Sequence, residues 1–358
     1  MRCLFVIDQS GGVLMLVLDN EVMFFETDMR FVKRFGLEAA TDMVLDYSAI
    51  NKTPFIYDFF QLSSFLRILP SDLRKLLDDI PGSYRSLQIP KKSGGYRELN
   101  QPLGRLPDIQ ERIYTGILKR LKSSPYATAY HQGAHLSDNA APHIGKRFLL
   151  KLDITDFFGS IRFDMVLSSV FNTSLYPRHI GTMLTSLCCL EDVLPQGTCT
   201  SPTLSNLVMK RFDDIFGAWC KRHGFDYTRY SDDITVSGNT SLYPAYCAAK
   251  SMLHKMGFEL NERKTHFITD SFRQTVTGLT VNEKVNVTAA YKRKLRQELY
   301  YTDRFGIESA AQYLHQPDAK KYYQQLMGRL NFVLSIEPDH TYFIKAKEKL
   351  SEQRAEII

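Results

Sequence analysis

Apolar residues recur along the first third of the chain with two different periods. Val13 to Leu18 and Val22 to Phe25 are short apolar runs separated by Asp19-Asn20, a pattern that predicts a hairpin. Between Pro54 and Ile80 the spacing becomes helical. Phe59, Leu62, Phe65 and Leu66 mark one amphipathic face, and Leu73, Leu76, Leu77 and Ile80 a second. Pro70-Ser71 separates the two helices, with Ser71 placed to cap the second. Ser86 to Leu99 then reads as a hairpin turned by Ser93-Gly94-Gly95. Asp108 to Leu121 returns to the helical period, with Ile109, Ile113, Ile117 and Leu121 on one side. Lys119 and Arg120 stand near its C-terminus, where the helix dipole favours cations.

The middle of the chain alternates strands with helices. Phe148 to Asp153 is a mostly apolar strand that ends in an acid, and Val166 to Phe171 and Ile180 to Leu187 support helices. Ser201-Pro202 opens a longer one, serine at the cap and proline in the first turn. Its expected buried side is Leu204, Leu207, Val208, Phe212, Ile215 and Phe216. Phe225, Tyr227 and Tyr230 approach Asp232-Asp233, and Ile234-Thr235-Val236-Ser237 leaves it, so the two acids sit at the tip of a short hairpin. Tyr243 to Met256 is helical, and Phe258 with Leu260 begins an edge strand. After Val287 the pattern is mainly helical, strongest from Ala319 to Leu334. This order suits an α+β architecture with a ferredoxin-like antiparallel sheet.

Composition adds room and charge to that outline. With 358 residues, 44% hydrophobic and 12% aromatic, the chain can bury a core and hold two or three subdomains. No internal repeat or long Pro/Gly/Ser linker divides it. The net charge of +6 is concentrated in clusters: Lys91-Lys92 with Arg97, Lys119-Arg120-Lys122, and Lys292-Arg293-Lys294 with Arg296. Each alone could be a solvated face. The run Val13 to Leu18 is too short to span a bilayer and lacks the flanks of a signal peptide, so the expected address is cytoplasmic, with no membrane partner. Six cysteines without Cys-x-x-Cys spacing suggest neither a zinc site nor a disulfide framework, and Cys188 and Cys189 read as small core residues.

The acids carry the chemistry. Asp153 at the end of its strand can meet Asp232 and Asp233 on an adjacent hairpin. Three carboxylates on one sheet cannot all ionise cheaply unless cations neutralise them, and hard oxygen ligands suit Mg²⁺ carrying phosphates. The physical reading is a two-metal phosphoryl-transfer site.

Taken in order, the Asp153 strand, the Leu194-Pro195-Gln196-Gly197 loop with Ser201-Pro202 and Asn206, and Tyr230-Ser231-Asp232-Asp233 resemble the palm motifs of reverse transcriptases. Asn139-Ala140-Ala141-Pro142-His143 resembles the Asn-Ala-x-x-His signature of bacterial retron reverse transcriptases, and Val276-Thr277-Gly278 their Val-Thr-Gly signature. The likeness runs from about Tyr57 to about Ser335. It implies an α+β right-hand polymerase fold: an N-terminal extension of unassigned role over 1–53, fingers over 54–147, a ferredoxin-like palm over 148–282 and a mainly helical thumb over 283–358.

The resemblance also implies roles. Asp153, Asp232 and Asp233, with the carbonyl of Ile154, would hold two Mg²⁺ ions. Lys264 matches the lysine that protonates pyrophosphate, the plainer alternative being a solvated lysine. Arg97 would grip the incoming triphosphate with Lys91 and Lys92, which could equally be exposed hairpin charges. Asp156, Phe158 and Gln196 belong to the nucleotide site. Phe158 stands where a bulky ring excludes a 2′-hydroxyl, and Phe157 reads as core. Asn139 and His143 either help hold RNA or form a structural pair. Lys292, Arg293, Lys294 and Arg296, with Tyr291, Tyr300 and Tyr301 interleaved, suit RNA phosphates and unpaired bases. Ser231 replaces the alanine frequent in retron enzymes.

The implied function is RNA-directed synthesis of DNA on part of a cognate structured noncoding RNA. The product would be RNA-linked single-stranded DNA (msDNA) primed from an internal 2′-hydroxyl. The partners would be that RNA, its DNA product, dNTPs and an effector protein in antiphage defence. The rivals are another bacterial reverse transcriptase, group II intron-like or of the abortive-infection type, and a noncatalytic RNA-binding scaffold on the same fold. A two-metal nuclease also fits paired carboxylates but leaves Phe158 and the Leu194-Gly197 loop unexplained.

Overall fold

The earliest apolar runs pair as strands. A computed structural model describes residues 53–90, 94–315 and 318–352, together with the backbone of three preceding strands. These are β1 (Leu4–Ile7), β2 (Leu14–Leu18) and β3 (Glu21–Phe25), an antiparallel meander in which Leu18 lies opposite Glu21. The hairpin expected over 13–25 is present, and β1 extends it. The chain as a whole divides into two compact units that interleave along the sequence. Residues 1–132, 154–216 and 249–261 form the first, and 133–153, 217–248 and 262–358 the second. Among the described residues no helix is long and apolar enough to cross a membrane.

In the first unit, α1 (Phe59–Leu66) starts at Asp58, whose carboxylate accepts from the amides of Phe60 and Gln61 at 3.0 and 2.9 Å. α2 (Pro70–Asp78) has Pro70 at its first position and no side-chain cap, so Ser71 is already inside the first turn rather than capping it. β4 (Tyr84–Pro90) and β5 (Tyr96–Pro102) form the expected hairpin, with Leu87 opposite Leu99. α3 (Leu106–Gly116) stops short of Leu121 and yields to a 3₁₀ turn over Leu118–Arg120. A Cβ at Gly116 would stand 2.7 Å from the Phe65 ring, so this glycine lets α1 and α3 meet.

A short helical turn, Phe157–Ser160, precedes α4 (Phe163–Ser169), α5 (Arg178–Ser186) and the long α6 (Ser201–Arg222). Ile215 of α6 was expected inside but is 48% exposed. The other five expected residues, Leu204, Leu207, Val208, Phe212 and Phe216, are buried, and the helix also buries the polar Ser205, Asn206 and Asp213, which hydropathy cannot flag. The expected edge strand at Phe258 and Leu260 amounts to a single bridge between Leu260 and Ile154.

The second unit holds the main sheet. β6 (Phe148–Asp153), β7 (Asp226–Tyr230), β8 (Asp233–Gly238) and β9 (His266–Thr269) are ordered β7-β8-β6-β9, every pair antiparallel. The chain between β6 and β7 carries α4 to α6, and α7 (Tyr243–Lys255) joins β8 to β9. This is the ferredoxin-like connectivity the sequence predicts. β10 (Thr275–Val276), β11 (Leu279–Thr280) and β12 (Asn286–Val287) form a small second sheet. Three helices follow: α8 (Ala289–Tyr313), bent at Gly306 where φ is 76°, α9 (Ala319–Ile336) and α10 (Thr341–Glu352). Leu149 of β6, Val276, Leu279, Leu299, Leu330 and Phe343 share one hydrophobic core.

Candidate active site

Sheet register brings two of the three acids together. Asp153, last in β6, lies directly opposite Asp233, first in β8, and a cross-strand pair points to the same face of a sheet. Tyr230 pairs with Asp233, which leaves Ser231-Asp232 as a two-residue hairpin loop. Ser231 has φ 61°, the left-handed conformation such a loop demands at its first position. The side chain there must be small and tolerant, and Ser231 is buried. Beneath the turn, the fully buried Arg229 donates from Nη1 to the Ser231 carbonyl at 2.9 Å. The peptide that presents Asp232 is thereby tied to the strand leading to it.

Charge is crowded at this point. Burial, and then the Asp232 carboxylate, push the Asp233 carboxyl above the usual range. Asp153 adds to the effect, while Lys151 and Lys264 oppose it. Lys264 follows Glu262 in a 3₁₀ turn that Tyr246 anchors by donating its hydroxyl to both Glu262 oxygens at 2.9 and 3.0 Å. From there its ammonium donates to Asp153 Oδ1 at 2.8 Å, and that bond raises the lysine's own pKa. Among the described residues no three His, Cys, Asp or Glu side chains close around one point. The donor set still fits a hard divalent cation: Asp153 and Asp233 share one face, Asp232 on the adjoining turn adds repulsion on Asp233 that needs a counter-charge, and the cluster already draws the Lys264 ammonium.

Asn139 and His143, expected either to help hold RNA or to form a structural pair, have fully buried side chains out of reach of a surface ligand. His143 instead ties the two strands of the aspartate hairpin together. Its Nδ1 lies 2.7 Å from Ser237 Oγ on β8, and its Nε2 lies 2.8 Å from Thr228 Oγ1 on β7. Thr228 Oγ1 donates to the Asn139 carbonyl at 3.3 Å, so Nε2 carries the ring hydrogen and Nδ1 accepts from Ser237. Asn139 in turn donates to Thr277 Oγ1 at 3.5 Å, a long bond that joins the Asn-Ala-x-x-His segment to Val276-Thr277-Gly278. The structural alternative for this pair is the one the geometry supports.

The expected nucleotide residues fall in the first unit. Arg97 is exposed on β5, opposite Ile89; Lys91 and Lys92 lie outside the described residues. The Gln196 carbonyl accepts from the Asn100 amide at 2.7 Å, and Gly197, with φ 114°, brings its backbone so near Asn100 that a Cβ would stand 3.2 Å from the Asn100 carbonyl oxygen. The Leu194-Gly197 loop is thus fastened to the β4–β5 hairpin. Asp156 is exposed at φ 42°, and the Ile154 side chain is buried. Phe157 is 4% exposed and packs on Phe258, whereas Phe158, half-buried, meets Phe157 edge-on at 5.5 Å.

The basic segment of α8 is only partly available. Lys292 is withdrawn from the RNA-facing set because its ammonium donates to both Glu337 oxygens at 2.9 Å, with its side chain only 17% exposed. Tyr291 packs edge-on against Phe332 at 5.5 Å, and Tyr301 lies at a tilt against Tyr313 at 5.4 Å. Arg293 and Lys294 are exposed, and Arg296 lies over the Tyr342 and Phe343 rings. Arg229 and the Tyr246–Glu262 anchor did not emerge from the sequence. A charged residue three places before the Asp-Asp pair, between Tyr227 and Tyr230 in a strand that the sheet buries, was the available signal.

Comparison with known proteins finds relatives over most of the chain. Residues 89–295, more than half of the chain, match the family model for reverse transcriptase (RNA-dependent DNA polymerase). The chain is similar to the retron Ec86 reverse transcriptase of Escherichia coli, 29% identical over 306 residues that cover 83% of this chain and 91% of that one. The retron Mx65 reverse transcriptase of Myxococcus xanthus is 31% identical over 286 residues, 74% and 64% of the two chains. The retron Ec83 reverse transcriptase of Escherichia coli is 29% identical over 295 residues, 78% and 90%.

Proposed function

Since the chain belongs to the reverse transcriptase family, as an RNA-directed DNA polymerase of the bacterial retron type, we propose that it copies part of a cognate structured noncoding RNA into RNA-linked single-stranded DNA for antiphage defence beside an effector protein. The observation that carries the catalytic part is the register of Asp153 against Asp233, with Asp232 held on the tight turn between β7 and β8. Asp153 and Asp232, with Asp233 and the Ile154 carbonyl beside them, would hold two Mg²⁺ ions. When bound, these supply Lewis acidity to the attacking hydroxyl and neutralise charge on the triphosphate.

The protein's own contribution is positional and electrostatic. Arg229 and His143 brace the hairpin from below, so the acids keep their spacing as charge builds. Lys264 is protonated, with its side chain 60% exposed, and can give a proton to the leaving pyrophosphate. Arg97 grips phosphate oxygens with its guanidinium fork. Phe158 rests on the buried Phe157, which supports it as a rigid wall beneath the sugar of the incoming nucleotide. Phe158→Ala is expected to raise incorporation of ribonucleotides relative to deoxyribonucleotides by about 10-fold or more, measured by competitive single-nucleotide extension. An unchanged ratio would remove Phe158 from this role.

The decisive experiment for the whole reading is to recover the nucleic acid that copurifies with the protein from a host carrying the native locus. A branched species shortened by both RNase and DNase is expected. DNA synthesis on RNA without such a branch would assign the chain to another kind of bacterial reverse transcriptase. RNA binding without synthesis, given Mg²⁺ and all dNTPs, would leave a scaffold.

A further inference from the structure

Between α8 and α10 lies a cavity of about 400 Å³. Leu299 and Leu350, both buried, belong to its apolar lining, and Tyr300 and Tyr342, 57% and 43% exposed, present their rings at it. Lys345 and Lys349 stand one helical turn apart on α10 and border the same space. Lys349 forms an ion pair with Asp303 across the groove, an exposed contact that stabilises little and that a phosphate can displace.

The two rings are held in place. Tyr342 carries the Arg296 guanidinium 5.5 Å from its ring centroid, and Tyr300 meets the edge of Tyr301 at 5.9 Å. Tyr301 is itself stacked at 6.2 Å on Phe305. A single exposed tyrosine needs no explanation. Two braced rings around one cavity, with two lysines on its border and Arg296 against one ring, ask for an occupant that is planar and anionic at once. The volume suits one small unit rather than a partner's helix.

We propose that this groove binds an unpaired nucleotide, the base against Tyr300 and Tyr342 and the phosphate at Lys345 and Lys349. The assignment rests on reading the chain as an enzyme that handles RNA. Stacking on aromatic side chains tolerates any base, and lysine serves phosphate as a point charge, so the groove grips single strands without reading their sequence. An RNA template and a DNA product share this chemistry.

The full chain would be irradiated with short unstructured oligoribonucleotides and oligodeoxyribonucleotides carrying 5-iodouracil, and the crosslinked peptides mapped by mass spectrometry. Crosslinks are expected at Tyr300 or Tyr342. By fluorescence anisotropy, Tyr300→Ala and Tyr342→Ala should each weaken single-strand binding about 10-fold, and Tyr300→Phe should not, which also checks folding. Lys345→Gln with Lys349→Gln should flatten the salt dependence. Blunt duplex RNA should bind all variants alike, and the arm that weakens more identifies the strand. Wild-type affinity in every variant, with crosslinks elsewhere, overturns the proposal. Failure of the wild-type chain to extend a primer annealed to RNA would instead overturn the polymerase reading. Extension by Tyr342→Ala and by Lys345→Gln with Lys349→Gln at the wild-type rate, with weakened single-strand binding, supports both.

Discussion

Asp232→Asn combined with Asp233→Asn is expected to lower DNA synthesis by about 10³-fold or more while RNA binding persists. Asparagine keeps the volume and the hydrogen-bonding shape of each side chain but cannot supply the charge that draws a divalent ion. Folding should not suffer. The wild-type Asp233 carboxyl is pushed above its ordinary range by burial and by Asp232, so the folded state bears an ionised group it disfavours at neutral pH. Removing both charges relieves that cost, and the variant should be at least as resistant to denaturant as the wild type at pH 8. A purified variant that still extends a primer on RNA at the wild-type rate would discard the site. A variant that loses both synthesis and its folded baseline would show the acids to be structural.

The parts of this molecule that could be read in advance are those whose information is local. The hairpin around Asp232-Asp233 announces itself through alternating residues on both sides, and the acid ending β6 through the apolar run before it. Their meeting follows because a ferredoxin-like order puts β6 beside β8. What escaped depends on partners distant in sequence. Lys292 looks like one more basic residue in a cluster until Glu337, 45 residues later, takes its ammonium. On α6 the burial of Ser205, Asn206 and Asp213 escaped because polar side chains carry no hydropathy signal, and Ile215, apolar and at a helical spacing, was placed inside but is exposed. For Asn139 and His143 the sequence offered both an RNA contact and a structural pair, and it could not name the partners. Their ligands are Thr277, Thr228 and Ser237, each at least 85 residues away.

That polar network is where the second large effect is expected. His143→Leu would leave the buried hydroxyls of Ser237 and Thr228 without the ring that bridges them, a loss of about 3 kcal/mol at pH 8 by equilibrium denaturation. The variant should also change how stability responds to acid. Burial holds the imidazole at a pKa of about 4, with Lys146 lowering it and Asp226 opposing. An unfolded chain takes up a proton on histidine near pH 6.5, whereas the native ring remains neutral down to about 4. Between those values the unfolded state binds the extra proton, so stability is complete above about 6.5 and falls as pH drops towards 4. The gap amounts to roughly 3 kcal/mol, and that share of the acid sensitivity should be missing from His143→Leu. A variant with wild-type stability and an unchanged pH profile would show that the ring does not brace the hairpin. If the profile flattens and synthesis falls together, the fixed spacing of the aspartates depends on a neutral histidine buried beneath them.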